Sequence, residues 1–329
     1  MPTRTLTVAG HAVEIAETGN GPALVYLHGL ADVHGAAPAF LPFHDTLARS
    51  FRVIAPAHPC CAGSDEDEDI ETIDDLAFRY IETLDALGLS KVALAGACVG
   101  GWIAAELAVR HPERVASLVL IGASGLQLPD APIGDIFWEA QPKNGSDYSG
   151  LRRLLFADTQ AAAATTLFPD GRDNVERELA RYKTMRFASR IGFNPPYFFN
   201  RLLRRRLHRY TGPALLLWGE HDRMVPRAHG EAYAAGLGKA KLHIIAGAGH
   251  SPHVERPDET AAAIRAFLKP AAPARKAAAP PKRPKAKVKA KAKAKARAKA
   301  AARPITRPVT RKAPAKARPR KSGRKAARR

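Results

Sequence analysis

Residues 94–104 read LAGACVGGWIA, and the surroundings of Cys98 at the centre of this stretch decide how the rest of the chain is arranged. The run KVALA (91–95) before it is short, apolar and strand-like, and WIAAELAVR (102–110) after it is helical in character. Between them lie Gly96, Ala97, Cys98, Val99, Gly100 and Gly101. A residue held at a sharp strand-to-helix turn needs an unfavourable backbone conformation, and strand and helix approach too closely for large neighbours. Glycines two before and two after Cys98 meet both demands. Cys98 is therefore a candidate nucleophile. The competing reading is a buried structural thiol in a Gly-rich turn, because free cysteine often behaves as a small hydrophobe.

Outward from this turn the chain repeats one alternation. RTLTVAG and HAVEIAE (4–17) form a plausible hairpin around a Gly-His junction. The apolar runs ALVYLH, FRVIAP, KVALAG, RVASLVLIG, ALLLWG and KLHIIAG then interleave with helical segments near 38–49, 70–88, 99–111, 227–236 and 257–268. Strands that are apolar throughout and separated by helices predict a mostly parallel central sheet covered on both faces. Residues 124–210 break the rhythm with Arg-rich and Pro-rich helical stretches, and are expected to form a helical lid. The expected organisation is an α/β core over 1–123 and 211–269, the lid at 124–210, and a separate tail at 270–329. In such sheets the chemistry sits in loops after the carboxyl ends of the strands.

The charge divides the same way. Of 52 Lys and Arg, 24 lie from Pro270 onward with no Asp or Glu among them, which leaves 28 basic against 31 acidic residues in the body. The tail, for example PPKRPKAKVKAKAKAKARAKA (280–300), has no aromatic residue and dense like charge. It cannot bury enough apolar surface to offset the entropy of ordering, so it is expected to be disordered alone. It resembles the Lys/Ala/Pro tails of linker histones and nucleoid-associated proteins. That resemblance implies non-specific binding of nucleic acid or another polyanion by counterion release. Three cysteines, Cys60, Cys61 and Cys98, make no disulfide framework, and neither a signal-type apolar segment nor a transmembrane run is present. The expectation is a cytoplasmic protein, with nucleoid association through the tail as an extension of it.

A nucleophile needs a base, and the base needs an orienting acid. LLLWGEHDRMVP places Asp222 just after one strand, and LHIIAGAGHSPHVERP places His250 just after the next. His253 is the rival base; the Gly-His junction favours His250. The order Cys98, Asp222, His250, together with YLHGL (26–30) and GACVGG (96–101), resembles the α/β-hydrolase superfamily over about residues 3–268, here with cysteine where serine is usual. The resemblance implies an oxyanion hole made by the backbone N–H groups of Leu30 and Val99, with His28 and Gly29 supporting the turn. APAHPCCAGSD (55–65) matches a loop where relatives usually read Pro-Gly-X-Gly-X-Ser; Cys60, Cys61 and Ala62 depart from it. His28, His34, His44 and His58 lack zinc spacing, so neither a metal nor a cofactor is expected.

A thiol beside a histidine attacks as a thiolate–imidazolium pair and forms a thioester, which can serve hydrolysis or transfer. Dienelactone hydrolases resemble this arrangement for hydrolysis, and polyhydroxyalkanoate synthases carry a similar Gly-X-Cys-X-Gly-Gly box for acyl transfer. The expected function is hydrolysis of a carboxylic ester, thioester or lactone. The alternatives are an acyltransferase, and a catalytically weak hydrolase serving as a nucleic-acid-tethered binding protein. Trp102, Phe137, Trp138, Phe198 and Phe199 suggest a pocket for a small apolar acyl substrate. The arginines of RELARYKTMRFASR (177–190) and NRLLRRRLHRY (200–210) are either solvated helix faces or anchors for a substrate carboxylate or phosphate.

Overall fold

A computed structural model describes residues 3–141, 148–171, 174–193 and 197–268. The expected tail, 270–329, lies outside the described residues. The two hairpin segments and the six apolar runs become eight strands: β1 (Thr3–Val8), β2 (His11–Thr18), β3 (Ala23–Leu27), β4 (Arg52–Pro56), β5 (Val92–Ala97), β6 (Val115–Ile121), β7 (Ala214–Gly219) and β8 (Ala240–Ile245). They pair in the order β1-β2-β4-β3-β5-β6-β7-β8. β1 and β2 form the hairpin, joined by Ala9 and Gly10, both at positive φ (47° and 89°), as a two-residue turn between right-twisted strands requires. β2 is antiparallel to β4, and every later pairing is parallel. Central strands such as β7 are buried at every position, whereas the edge strand β8 alternates half-buried and exposed positions up to the buried Ile245, the signature of one covered face.

Helices cover both faces. α1 (Pro42–Ala48) packs on α11 (Pro257–Leu268) over one face, joined there by Phe43, Leu47, Ala261 and Ile264. On the other lie α2 (Ile73–Ala86), α3 (Val99–Arg110) and α9 (Arg227–Gly236). α1 begins at residue 42 rather than 38, because Pro42 supplies a preset φ at the first helical turn where its missing N–H costs nothing. α2 begins at Thr72, whose hydroxyl accepts from Asp75 N–H while the Asp75 carboxylate reaches back to Thr72, a reciprocal cap. α3 is buried all round from Val99 to Val109, which explains its uniformly apolar sequence.

Between β6 and β7 run α4 (Ile136–Glu139), α5 (Ser149–Leu155), α6 (Ala162–Leu167), α7 (Val175–Gly192) and α8 (Leu203–Arg206). α7 inverts the usual relation of polarity and burial: it buries Arg181, Thr184 and Phe187, yet leaves Val175, Leu179 and Tyr182 largely open. After β8 the short α10 (Pro252–Glu255) precedes α11. Among the described residues no helix is long and apolar enough to cross a membrane.

Candidate active site

The turn after β5 has the strain its sequence requires. Cys98 adopts φ 53°, ψ −119°, a region L-residues avoid, and its N–H is held by Ile121 C=O at 2.9 Å. The glycines are steric necessities: a Cβ on Gly96 would lie 2.3 Å from Gly100 O, and one on Gly100 2.2 Å from Leu27 O. Because β3 is the immediate neighbour of β5, with Leu27 paired to Gly96, the His28-Gly29-Leu30 turn emerges beside Cys98. A Cβ on Gly29 would meet Cys98 Cβ at 3.0 Å. Val99 opens α3, so its N–H belongs to the first turn, which has no intrahelical acceptor.

His250 and Asp222 arrive from the loops after β8 and β7. Imidazole Nδ1 lies 2.9 Å from Asp222 Oδ2 and 3.0 Å from Oδ1. The carboxylate is itself fixed, since Oδ1 accepts from Met224 N–H at 3.0 Å and Val225 N–H at 2.8 Å. Nε2 of His250 is buried with no hydrogen-bond partner, and Cys98 and His250 line one cavity. Burial alone would drive a proton off this ring. Asp222 and then Cys98 outweigh that effect and push the imidazole up to about 10. The remaining lining is Gly29, Leu30, Ala31, Ala97, Leu155, Ser251 and His253, around free space of about 10 Å³, room for one water molecule.

The other histidines are placed by partners of their own. His28 Nδ1–H donates to Gly29 C=O (3.1 Å) and its Nε2 accepts from His58 N–H (3.0 Å). His58 Nε2–H donates to His28 C=O (2.8 Å), while its Nδ1 accepts from Tyr80 O–H. The ring centroids lie 3.8 Å apart with their planes tilted by 31°. Burial first, then His58 and the nearby His34, keep His28 well below the ordinary histidine range; burial also carries His58 down to about 3. Both rings thus stay neutral in the fold and take up a proton near pH 6.5 when unfolded. Below pH 6.5 the unfolded state binds more protons, so stability falls as pH falls. The expected loss between pH 7 and 5 is about 2 kcal/mol per histidine. Denaturant unfolding at the two pH values checks it, with His58→Gln expected to lose about half of the slope; a wild-type stability unchanged over this interval would refute it.

Residues 22–257, which carry most of this sheet and the loops at its strand ends, match the family model described as alpha/beta hydrolase fold. The chain belongs to the α/β-hydrolase family. Among curated relatives, this α/β-hydrolase is 28% identical to a 2-hydroxymuconate semialdehyde hydrolase of Pseudomonas sp. (strain CF600), covering 80% of this chain and 93% of the relative. It is 31% identical to a pimeloyl-[acyl-carrier protein] methyl ester esterase of Xanthomonas oryzae pv. oryzae, covering 76% and 96%. Among solved structures, the esterase RhEst1 from Rhodococcus sp. shares the fold with TM-score 0.66 at 21% identity, covering 82% of this chain and 98% of that one. The protein is an enzyme of the hydrolase class these relatives represent.

Three features of the α/β-hydrolase site escape sequence reasoning. Asp32, fully buried two residues beyond Leu30, accepts from Tyr26 O–H (2.5 Å) and Val33 N–H (2.9 Å), and faces Nε2 of both His44 and His253 at 3.3 Å. Burial alone would raise its carboxyl; His253 and His44 hold it well below the usual range. His253, the rival base, thus answers to Asp32 and not to Asp222. Gly122 after β6 is the second: at φ 51° its Cβ would lie 3.1 Å from His250 Nδ1. The third is Glu255, which accepts from Gly249 N–H (2.6 Å) and Ala157 N–H (2.7 Å) and so ties the His250 loop to the β6–β7 insertion. The sequence signal for it was HVERP, without a partner to give it meaning.

Two expectations change. None of Trp102, Phe137, Trp138, Phe198 and Phe199 lines the cavity beside Cys98. Trp102 and Phe198 pack with each other at 6.5 Å in the core, Phe137 stacks on Phe193 and Phe198, and Trp138 is 64% exposed. The 55–65 loop keeps a glycine-like path without the glycines, holding Cys60 at φ 69° and Ala62 at φ 48°. Such conformations cost about 1–2 kcal/mol each. Lys183 of α7 donates to Ala62 C=O at 2.9 Å, which helps hold that path.

Proposed function

We propose that the protein hydrolyses a carboxylic ester, thioester or lactone with Cys98 as nucleophile, His250 as base and Asp222 as its orienting acid. The carrying observation is that the buried, unpaired Nε2 of an Asp222-bound His250 shares one cavity with a Cys98 held at positive φ. His250 Nε2 already holds the proton given up by the thiol, in line with an imidazole pushed up to about 10, and Cys98 Sγ adds to the carbonyl carbon. The N–H groups of Leu30 and Val99 donate to the oxyanion, with the Leu30 turn braced by His28 and Gly29. Collapse expels the alcohol or thiol, which leaves with the proton from His250, and a thioester remains on Cys98. Water, deprotonated by His250, then cleaves the thioester, giving the acid and the regenerated thiol. Both half-reactions use one base, so the same ring serves as acid and base in turn.

Residues 124–210 act in this reading as a lid, because the free space beside Cys98 holds one water and no acyl chain. A second cavity of about 200 Å³, between Leu30 and the α5 and α7 helices, shares Leu30 with the first and is the natural seat for the acyl group. Esters are the first class to test, since the Xanthomonas relative bears the name methyl ester esterase. The test is intact-mass spectrometry after brief mixing with short and medium p-nitrophenyl esters and acyl thioesters. A mass gain equal to the acyl group, mapped to Cys98 and decaying with release of acid, is expected. No adduct and no product across the panel would defeat the proposal; an adduct that decays only with an added amine or alcohol would reassign it to acyl transfer.

The tail carries a second activity in the same proposal, non-specific polyanion binding, supported by its 24 Lys and Arg without a single acid. Full-length protein is expected to bind duplex DNA with steep salt dependence, and a truncation after Lys269 not to bind. Equal binding by both forms would remove that half of the proposal.

A further inference from the structure

The 200 Å³ cavity holds an ionic arrangement that the reaction above does not use. Its wall includes Leu30, Tyr148, Leu151, Glu178, Arg181 and Met185. Arg181 is nearly fully buried, its side chain 5% exposed, with its guanidinium 4.1 Å above the Tyr148 ring. Nη1 donates to Glu178 Oε1, Nη2 to Leu167 C=O at 3.4 Å, and Nε is buried without a partner. The second oxygen of Glu178 accepts from Tyr148 O–H at 2.5 Å. A buried guanidinium in a substrate-sized cavity is a carboxylate receptor by chemistry, since its planar fork matches two oxygens. Here the receptor is already filled, by a carboxylate from three residues earlier on the same helix.

We propose that Glu178 is a specificity-determining residue: by occupying Arg181 it reserves the cavity for acyl chains with an uncharged end and excludes those ending in a carboxylate. A substrate carboxylate would have to displace a tethered competitor whose effective concentration is set by one helical turn, or lie beside a like charge. Removing the Glu178 charge while keeping its shape leaves a buried cation and an open receptor. Gln at 178 still accepts from Tyr148, so the wall of the cavity is preserved.

The inference rests on the proposed reading of this cavity as the acyl seat, and its test separates the two. Full-length Cys98→Ala protein, with and without Glu178→Gln, is titrated calorimetrically with methyl hexanoate and with monomethyl adipate, which differ by a terminal carboxylate. The Glu178 form is expected to prefer methyl hexanoate by about tenfold or more, and Glu178→Gln to gain about ten- to a hundredfold for monomethyl adipate, the range of one or two charge-assisted hydrogen bonds. Adding Arg181→Gln is expected to erase that gain, a readout that mere loosening of α7 would not produce. Equal affinities in the Glu178 form, no gain in Glu178→Gln protein that unfolds at its normal temperature, or no binding of either ester would each overturn the proposal. If the binding pattern holds but wild-type protein forms no acyl adduct with methyl hexanoate, only the hydrolytic reading falls.

Discussion

Cys98→Ala is expected to remove the acyl adduct and to lower turnover of the best p-nitrophenyl ester by about 10⁴-fold or more, the scale seen when a nucleophile is deleted from a unit that works as a whole. Neither of the other two cysteines is placed to take over. Cys60 sits in the 55–65 loop, its Sγ directed at Lys183 C=O, and Cys61 is buried with burial pushing its thiol up. The residual rate would come from the Leu30 and Val99 donors acting on a bound ester attacked by water. Alanine at this position accepts the same strained φ of 53° and leaves no new polar group, so the fold should persist. The check is kcat at matched unfolding temperature. Turnover within tenfold of wild type would move the chemistry away from Cys98 altogether, whereas retained activity in Cys98→Ser would show only that the turn tolerates oxygen.

Asp222→Asn is expected to lower kcat by about 10³- to 10⁴-fold with little change in KM, for a reason visible in the hydrogen bonds. Asp222 Oδ1 accepts from the Met224 and Val225 N–H groups while the carboxylate also holds His250 Nδ1. An asparagine must keep its one oxygen on those two backbone donors, which turns its NH₂ toward His250. Nδ1 then has to be the acceptor, the proton moves to Nε2, and the nitrogen facing the cavity can no longer receive the thiol proton. The loss of the carboxylate also removes the main influence that raises the imidazole against burial. Steady-state kinetics test the size and the kcat-against-KM split; nitrogen NMR of His250 tests the tautomer. An unchanged rate in a variant with the flipped tautomer would show that Cys98 does not depend on this base.

Much of this architecture is written locally. Six of the eight strands are short apolar runs bounded by turn residues and the first two are an alternating hairpin, and the helices between them are recognisable because propensity and burial agree there. The strained turn is legible from spacing alone: Gly96 and Gly100 are where any Cβ would strike backbone. Asp222 and His250 are readable because each stands directly after a strand, where loops must carry the chemistry. α7 shows the limit. Its burial runs against its polarity, with Arg181 inside and Leu179 outside, so periodicity points to the wrong face.

The sequence by itself determined the element alternation, the turn that presents Cys98 and the candidate residues of the site, because conformational preference, steric fit and chain order act over a few neighbouring residues. Only the tertiary structure decided that β3 rather than β4 lies beside β5, which brings Leu30 to Cys98, and that His253 answers to Asp32 while His250 answers to Asp222. It also decided that Arg181 meets Glu178 inside a cavity. These are contacts between ionic groups or strands brought together by packing, and their strength depends on desolvation by residues distant in the chain. No local stretch encodes how much water a neighbour will exclude.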